Sequence, residues 1–404
     1  MDRWMRLLPQ GVADRSIIQQ KEKRAAENAL LELFAKSGYG EVKTPTFEYY
    51  EVFTGTSGHL RAEGMIKFID DTGRILVLRP DLTMPIARMA AGSMQNQPLP
   101  LRLCYVEEAY AYTTQRAGQR REYTQAGIEL LGSSHAESDA EVIATAIAAM
   151  QALGLRGVQL DIGQVEFFNG LMEEAQISPE DTELLRGLID NKNMLQLELV
   201  LGQLAVSEKV RNVLHVLPNL YGGYEILDVA AGIGNNARSL SAVENLRTIY
   251  NILDEMGYAD CISFDFGLLQ SLNYYTGIIF KGMTEKLGTN ILSGGRYDKL
   301  LADFGMPMPA IGFALWVDDA LQAMQLQQVA PAPVQQSIVV GYSPAARMKA
   351  LRLITQMRAQ GEIVEVFFEQ DTRALCAYAQ AKGAKRAVYA NGEGTLQTVW
   401  EAIV

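Results

Sequence analysis

Apolar positions recur along this chain with two different periods, and the switches between them outline its organisation. From Ser16 to Lys36, the residues Ile17, Ile18, Ala25, Leu30, Leu33 and Phe34 fall at helical spacing with charges between them, which predicts an amphipathic helix. Ser37-Gly38-Tyr39-Gly40 stops it. Glu41 to Phe47 alternates as an edge strand interrupted by Pro45 should. Leu76 to Pro80 reads as a short strand, and Asp81 to Ala91 as the helix after it, capped by Asp81. Ser138 to Leu153 is an Ala-rich helix.

Between these helices lies Arg102 to Gly132, where two alternating runs flank the basic segment Thr-Gln-Arg-Ala-Gly-Gln-Arg-Arg. The pattern predicts an antiparallel hairpin with a basic tip. On its second arm Tyr123, Gln125, Gly127 and Glu129 share one face, and Ala126, Ile128 and Leu130 share the other. An apolar back with a polar front fits either a solvated edge strand or the floor of a pocket.

Farther on, Gln159 to Gly163 reads as a strand, and Phe167 to Met256 is almost wholly helical, with a loop expected around Leu217 to Asn236. Strand character returns at Ile262 to Phe266, Tyr274 to Lys281, Thr289 to Leu292 and Ala310 to Leu315. Turns mostly link these strands, which implies an antiparallel sheet interrupted by a helical block, an α+β arrangement. Gln325 to Gln336 is Gln- and Pro-rich, the composition of a linker. Beyond it, strands at 337–342, 363–368 and 387–390 alternate with helices at 345–359 and 372–382, predicting a small βαβαβ domain. The expected domains are thus 1–324, with an insertion at about 167–256, and 337–404, joined by a linker at 325–336.

Composition narrows the function. With 404 residues, 48% hydrophobic and 21% charged, the chain is of the globular class. A net charge of −11 argues against a surface that binds nucleic acid throughout. Cys104, Cys261 and Cys376 are odd in number and far apart, which fits a reducing compartment and no disulfide frame. With His59, His135 and His215 the only histidines, no metal site or cofactor is expected. The start is broken by charges and no window is long and apolar enough to span a membrane, so the cytoplasm is the expected location.

Single motifs are weak. Glu225 to Gly234 resembles the strand and Gly-x-Gly turn of a nucleotide or methyl-donor site, but its helical surroundings favour an inter-helix loop. Ser293 to Asp298 lacks the Gly-Lys-Ser/Thr of a phosphate loop and by itself reads as a glycine turn leaving a strand. Tyr274 and Tyr275 by themselves read as core aromatics.

Together the motifs are specific. Leu8-Pro9-Gln10-Gly11 with Asp14, Arg79-Pro80-Asp81-Leu82-Thr83, the hairpin, Leu272 to Gly277 and Gly294 to Asp298 follow the order and spacing of histidyl-tRNA synthetase. The resemblance covers essentially the whole chain. It implies the class II synthetase fold, with an antiparallel sheet of six to seven strands flanked by helices, a dimer built around the Pro45 segment and a shortened anticodon-binding domain.

The departures concern catalysis. In that family the first hairpin arm carries Phe-Arg-x-Glu, whose Arg holds the α-phosphate and the amino-acid carboxylate; here it reads Tyr110-Ala111-Tyr112-Thr113. The arginine of the histidine-specific motif becomes Gln270, and the terminal Arg of the third motif becomes Asp319. Each lost donor costs about 3 kcal/mol of transition-state stabilisation, so amino-acid activation is expected to be abolished. Arg116, Arg120 and Arg121 at the hairpin tip are expected to be solvated rather than to substitute.

The amino-acid end of the pocket is better kept. By the resemblance, Asp81 pairs with a histidine ammonium beside Thr83, Gln125 and Glu129 line the floor, and Tyr274, Tyr275 and Tyr297 enclose the ring. A body that keeps this pocket and drops the ATP chemistry is similar to the ATP phosphoribosyltransferase regulatory subunits. That likeness implies a non-catalytic homodimeric core in a hetero-oligomer with the short catalytic subunit, required for the first step of histidine biosynthesis and inhibited through bound histidine. Two alternatives are an active synthetase and a synthetase-derived sensor or RNA-binding module. The tail has only a modest excess of Lys and Arg and no aromatic platform interleaved with basic residues, which does not favour tRNA.

Overall fold

The computed structural model describes residues 6–55, 64–111, 120–269, 274–330, 336–392 and 395–402. The chain divides into two compact units, Met1–Ala330 and Pro331–Val404. The first helix, α1 (Ile17–Lys36), opens with a reciprocal cap. Ser16 Oγ accepts the Gln19 amide at 3.3 Å, and Gln19 Oε1 accepts the Ser16 amide at 2.9 Å, which satisfies N–H groups that a helix start leaves without partners. The alternating run after it is not one edge strand. It splits at Pro45 into β1 (Gly40–Glu41) and β2 (Phe47–Tyr49), which belong to different sheets, because proline cannot donate to a ladder.

Next come α2 (Glu51–Thr54), β3 (Lys67–Ile69), β4 (Ile75–Leu78) and α3 (Thr83–Ser93). Asp81 lies two residues before α3, and its Oδ1 accepts the Met84 amide at 3.3 Å. The hairpin arms are β5 (Leu101–Tyr110) and β6 (Glu122–Leu131), paired from Leu101 with Leu131 to Tyr110 with Glu122. After α4 (Ala136–Ala152) and β7 (Gln159–Gln164) comes the helical block: α5 (Val165–Glu174), α6 (Pro179–Asp190), α7 (Met194–Gln203), α8 (Glu208–Val216), the short β8 (Tyr221–Gly222), α9 (Ile226–Ile233) and α10 (Ala237–Glu255). The Glu225 to Gly234 stretch is therefore neither a nucleotide turn nor a loop. Leu227 and Ala230 are buried one helical step apart, so an apolar stripe keeps it helical despite its glycines.

The unit closes with β9 (Ile262–Asp265), β10 (Ile278–Met283), β11 (Leu292–Arg296), β12 (Ala310–Trp316) and α11 (Val317–Leu326). Tyr274 and Tyr275 precede β10 rather than belonging to it. Ser293 to Arg296, expected as a turn, is strand β11 itself. A Cβ on Gly294 would lie 2.5 Å from Gly312 O, and one on Gly295 2.7 Å from the Tyr275 ring; glycine here admits close neighbours within a sheet.

Among the described residues the main sheet has nine strands in the order β1-β5-β6-β12-β11-β10-β7-β9-β8. This exceeds the six to seven expected and is not purely antiparallel, since β1 with β5 and β7 with β9 run parallel. Parallel partners need long crossovers, here the whole helical block between β7 and β9, so a reading from turns misses them. The hairpin arm β6 is interior, between β5 and β12, which rules out a solvated edge. Behind the sheet, Ala126, Ile128 and Leu130 pack in one core with Phe34 of α1, Ile143 and Ile147 of α4, and Phe313. In front, Leu82, Met84, Leu103 and Tyr105 form a second core with Tyr274, Tyr297 and Leu300.

At the far end of this unit Gln327, which composition assigns to the linker, is only 1% exposed. Its amide donates to Thr284 Oγ1 at 2.8 Å and Glu285 O at 2.9 Å, and its Oε1 accepts the Arg156 amide at 2.8 Å. The second unit holds β13 (Ile338–Tyr342), α12 (Arg347–Ala359), β14 (Val364–Phe367), α13 (Thr372–Ala381), β15 (Arg386–Ala390) and β16 (Leu396–Glu401). Its sheet order is β14-β13-β15-β16. The expected βαβαβ thus gains an antiparallel fourth strand, β16.

Candidate functional site

The front of β6 is the floor of a cavity of about 270 Å³. Asp81, Thr83, Gln125, Glu129, Tyr274, Tyr275 and Tyr297, separated by up to 216 positions in sequence, all line it. The cavity exists because β6 alternates: its odd positions carry the polar side chains and its even ones anchor the strand to the core behind. Glu129 is 1% exposed. Thr83 Oγ1 donates to its Oε1 at 2.9 Å, and the Tyr297 hydroxyl donates to its Oε2. Burial raises its pKa to about 8, against the lowering effect of the Tyr297 and Thr83 hydrogen bonds and with a further rise from Asp81.

Aromatic rings make the side wall. Tyr274 packs on Tyr275 with centroids 4.7 Å apart and meets Tyr297 edge-on at 6.0 Å. Burial pushes all three phenols above their usual range, so they are neutral donors at physiological pH. Gln125 Oε1, on a lining side chain 5% exposed, has no hydrogen-bond partner, and neither has the hydroxyl of Tyr105, which is 1% exposed in the core beside the cavity and does not line it. Unsatisfied buried acceptors and donors are costly. A ligand N–H suits the first.

Four further wall residues carry weak signals in the sequence. Tyr123 donates from its hydroxyl to Pro80 O at 2.7 Å and closes one side. Trp316 and Ser293 line the cavity as well. Gly312 makes room for the floor carboxylate, since a Cβ there would collide with Glu129 Oε2 and lie 2.5 Å from Ile128 O. The glycine of a Phe-x-Leu strand draws no attention until its cross-strand neighbour is known to be Glu129. Behind Tyr297, Arg296 is held by Asp139, with Nε to Oδ1 at 2.9 Å, and by Ser133 O at 3.0 Å and Asp298 at 3.1 Å. Burial raises Asp139 to about 6 even against the pull of Arg296.

The positions expected to have lost synthetase residues behave differently from one another. Ala111 lines the cavity wall. Thr113 and Gln270 lie outside the described residues, as does Arg116. At the start of α11, Asp318 is 2% exposed, accepts the Thr124 amide at 2.8 Å, and pairs with Arg15 and, at 3.3 Å, with Arg120. Arg120 is thus not simply solvated as expected: the Asp318 carboxylate engages it. Asp319 beside it has a raised pKa, mainly from burial, with Arg120 opposing. Two neighbouring carboxylates, one of them paired with Arg15 and Arg120, thus sit at the start of α11.

The N-terminal motif does not join this cavity. Gln10, Gly11 and Asp14 line a separate cleft of about 900 Å³ with α1, Thr124 and Asp318. Gly11, at φ 85°, accepts the Arg121 amide at 2.7 Å through its carbonyl. Among the described residues no three His, Cys, Asp or Glu side chains are placed to hold a metal ion, and no helix is long and apolar enough to cross a membrane.

Known proteins resemble this chain along nearly its whole length. The histidyl-tRNA synthetase family matches residues 11–320. An ATP phosphoribosyltransferase regulatory subunit of Acetivibrio thermocellus is 42% identical over 387 residues, 95% of this chain and 92% of that protein. One from Caldanaerobacter subterraneus is 40% identical over 89% of this chain and 94% of its own. Among solved structures, an ATP phosphoribosyltransferase regulatory subunit/histidyl-tRNA synthetase from Bacillus halodurans superposes with a TM-score of 0.86 at 30% identity, covering 97% of this chain and 100% of that one. The histidyl-tRNA synthetase of Nostoc, at 19% identity and a TM-score of 0.80 over 98% of this chain and 97% of that one, shares the fold. The chain, which carries the histidyl-tRNA synthetase fold, belongs to the family of ATP phosphoribosyltransferase regulatory subunits, and its role is non-catalytic.

Proposed function

We propose that this chain binds and activates the short catalytic subunit of ATP phosphoribosyltransferase in the cytoplasm, and that histidine inhibits the assembly by occupying the cavity above β6. The observation that carries the reading is the wall itself: Asp81 suits an ammonium, the unpartnered Gln125 Oε1 suits an imidazole N–H, and Tyr274, Tyr275 and Tyr297 suit the ring. Feedback needs histidine to favour the inhibited state, and a coupling of about 1–3 kcal/mol is typical. A homodimer around the Pro45 segment is part of the proposal. It is supported by the small sheet next to that segment, which leaves Phe47 53%, Ile69 72% and Ile75 43% exposed.

The test is calorimetry with histidine on the full chain and on Asp81→Ala. The wild type should give a saturable heat that the variant loses; equal heats would sink the pocket assignment. Separately, the catalytic subunit should turn over faster with the chain added, and an unchanged rate would remove the activating role.

A further inference from the structure

The charges on the described wall of the cavity have one sign. Asp81 and Glu129 are acidic, and none of the described lining residues is Lys or Arg. The nearest replacement for a cation is Ala111, whose side chain ends at the methyl group. Of the described lining side chains, the one with a buried polar atom left without a partner is Gln125, whose acceptor Oε1 sits on a residue 5% exposed. An acceptor that lacks a donor, the Asp81 carboxylate and three neutral phenols make a site that attracts N–H groups and positive charge. A ligand carboxylate gains nothing from the first two and meets repulsion from Asp81.

Resting on the histidine reading above, we propose that the cavity recognises its ligand as a ring-bearing primary amine, reading the ammonium and the ring N–H and not the carboxylate. The amino acid enters because its ammonium outweighs its carboxylate, and the accepted class extends to the same molecule without the acid group. The experiment is calorimetry on the full chain with L-histidine, L-histidinol and histamine, at one pH where the imidazole is neutral. All three should bind, the two amines within about threefold of histidine or more tightly. In a site that grips the carboxylate, each would lose about tenfold or more, equivalent to ~1.4 kcal/mol; that result overturns the inference and leaves histidine binding intact. No heat from any of the three overturns both. Ala111→Arg supplies the missing cation and should strengthen histidine about tenfold or more while leaving histidinol unchanged or weaker. An equal gain for both ligands would also overturn the inference.

Discussion

Glu129→Gln isolates the energetic cost of keeping a carboxyl group on the cavity floor. The group ordinarily ionises at 4.5 and here is raised to about 8, with burial as the main cause. In the folded protein it therefore holds a proton between those values that the unfolded chain has already released. With more protons bound to the native state, stability falls as pH rises through this window. The gap, at about 1.4 kcal/mol per pKa unit, corresponds to about 5 kcal/mol lost between pH 4.5 and 8, an upper figure because the site can relax or admit water. Glutamine has nearly the same shape and an acceptor for Thr83 or Tyr297, and it does not titrate. The difference in stability between Glu129→Gln and the wild type should therefore shift in favour of the variant by several kcal/mol from pH 5 to 8. Urea unfolding followed by tryptophan fluorescence measures this, with Trp316 on the cavity wall as a local reporter. Taking the difference between the two proteins cancels other titrating groups, including Asp139. Curves for the two proteins that stay parallel across this range would refute the reasoning.

Removing Arg296 leaves Asp139 buried without its main partner, so Arg296→Ala should cost about 3–5 kcal/mol at pH 7.5. The cost should shrink at pH 5, below the raised pKa of about 6 for Asp139, because the protonated acid no longer needs a cation; thermal unfolding at both values checks it. Gly312→Ala places a methyl group against Glu129 Oε2, so it should destabilise the chain by about 1–3 kcal/mol and remove the histidine heat in calorimetry. A variant that binds like the wild type would mean that Glu129 does not form the floor.

What could be read from the sequence was whatever depends on local period. The amphipathic helix α1, the two hairpin arms and the two faces of β6 follow from spacing alone, because side-chain direction in a helix or strand is set by position. The chemistry of Asp81, Gln125, Glu129 and the tyrosines was legible only as a set. No one of them stands out from core or surface residues until the whole order of motifs is considered.

Two kinds of feature escaped local reading. The first are partners distant in sequence: the parallel pairing of β7 with β9 across the helical block, the strand character of Ser293 to Arg296, and the hold of Asp318 on Arg120. The second are vacancies shaped by neighbours, such as the glycine at 312 that admits Glu129. The sequence by itself determined which faces of its helices and strands are apolar. Only the tertiary structure decided that the polar face of β6 is enclosed, because burial depends on β12, α3 and the tyrosine segment closing over it. That same enclosure raises the Glu129 carboxyl and leaves Gln125 Oε1 waiting for a donor.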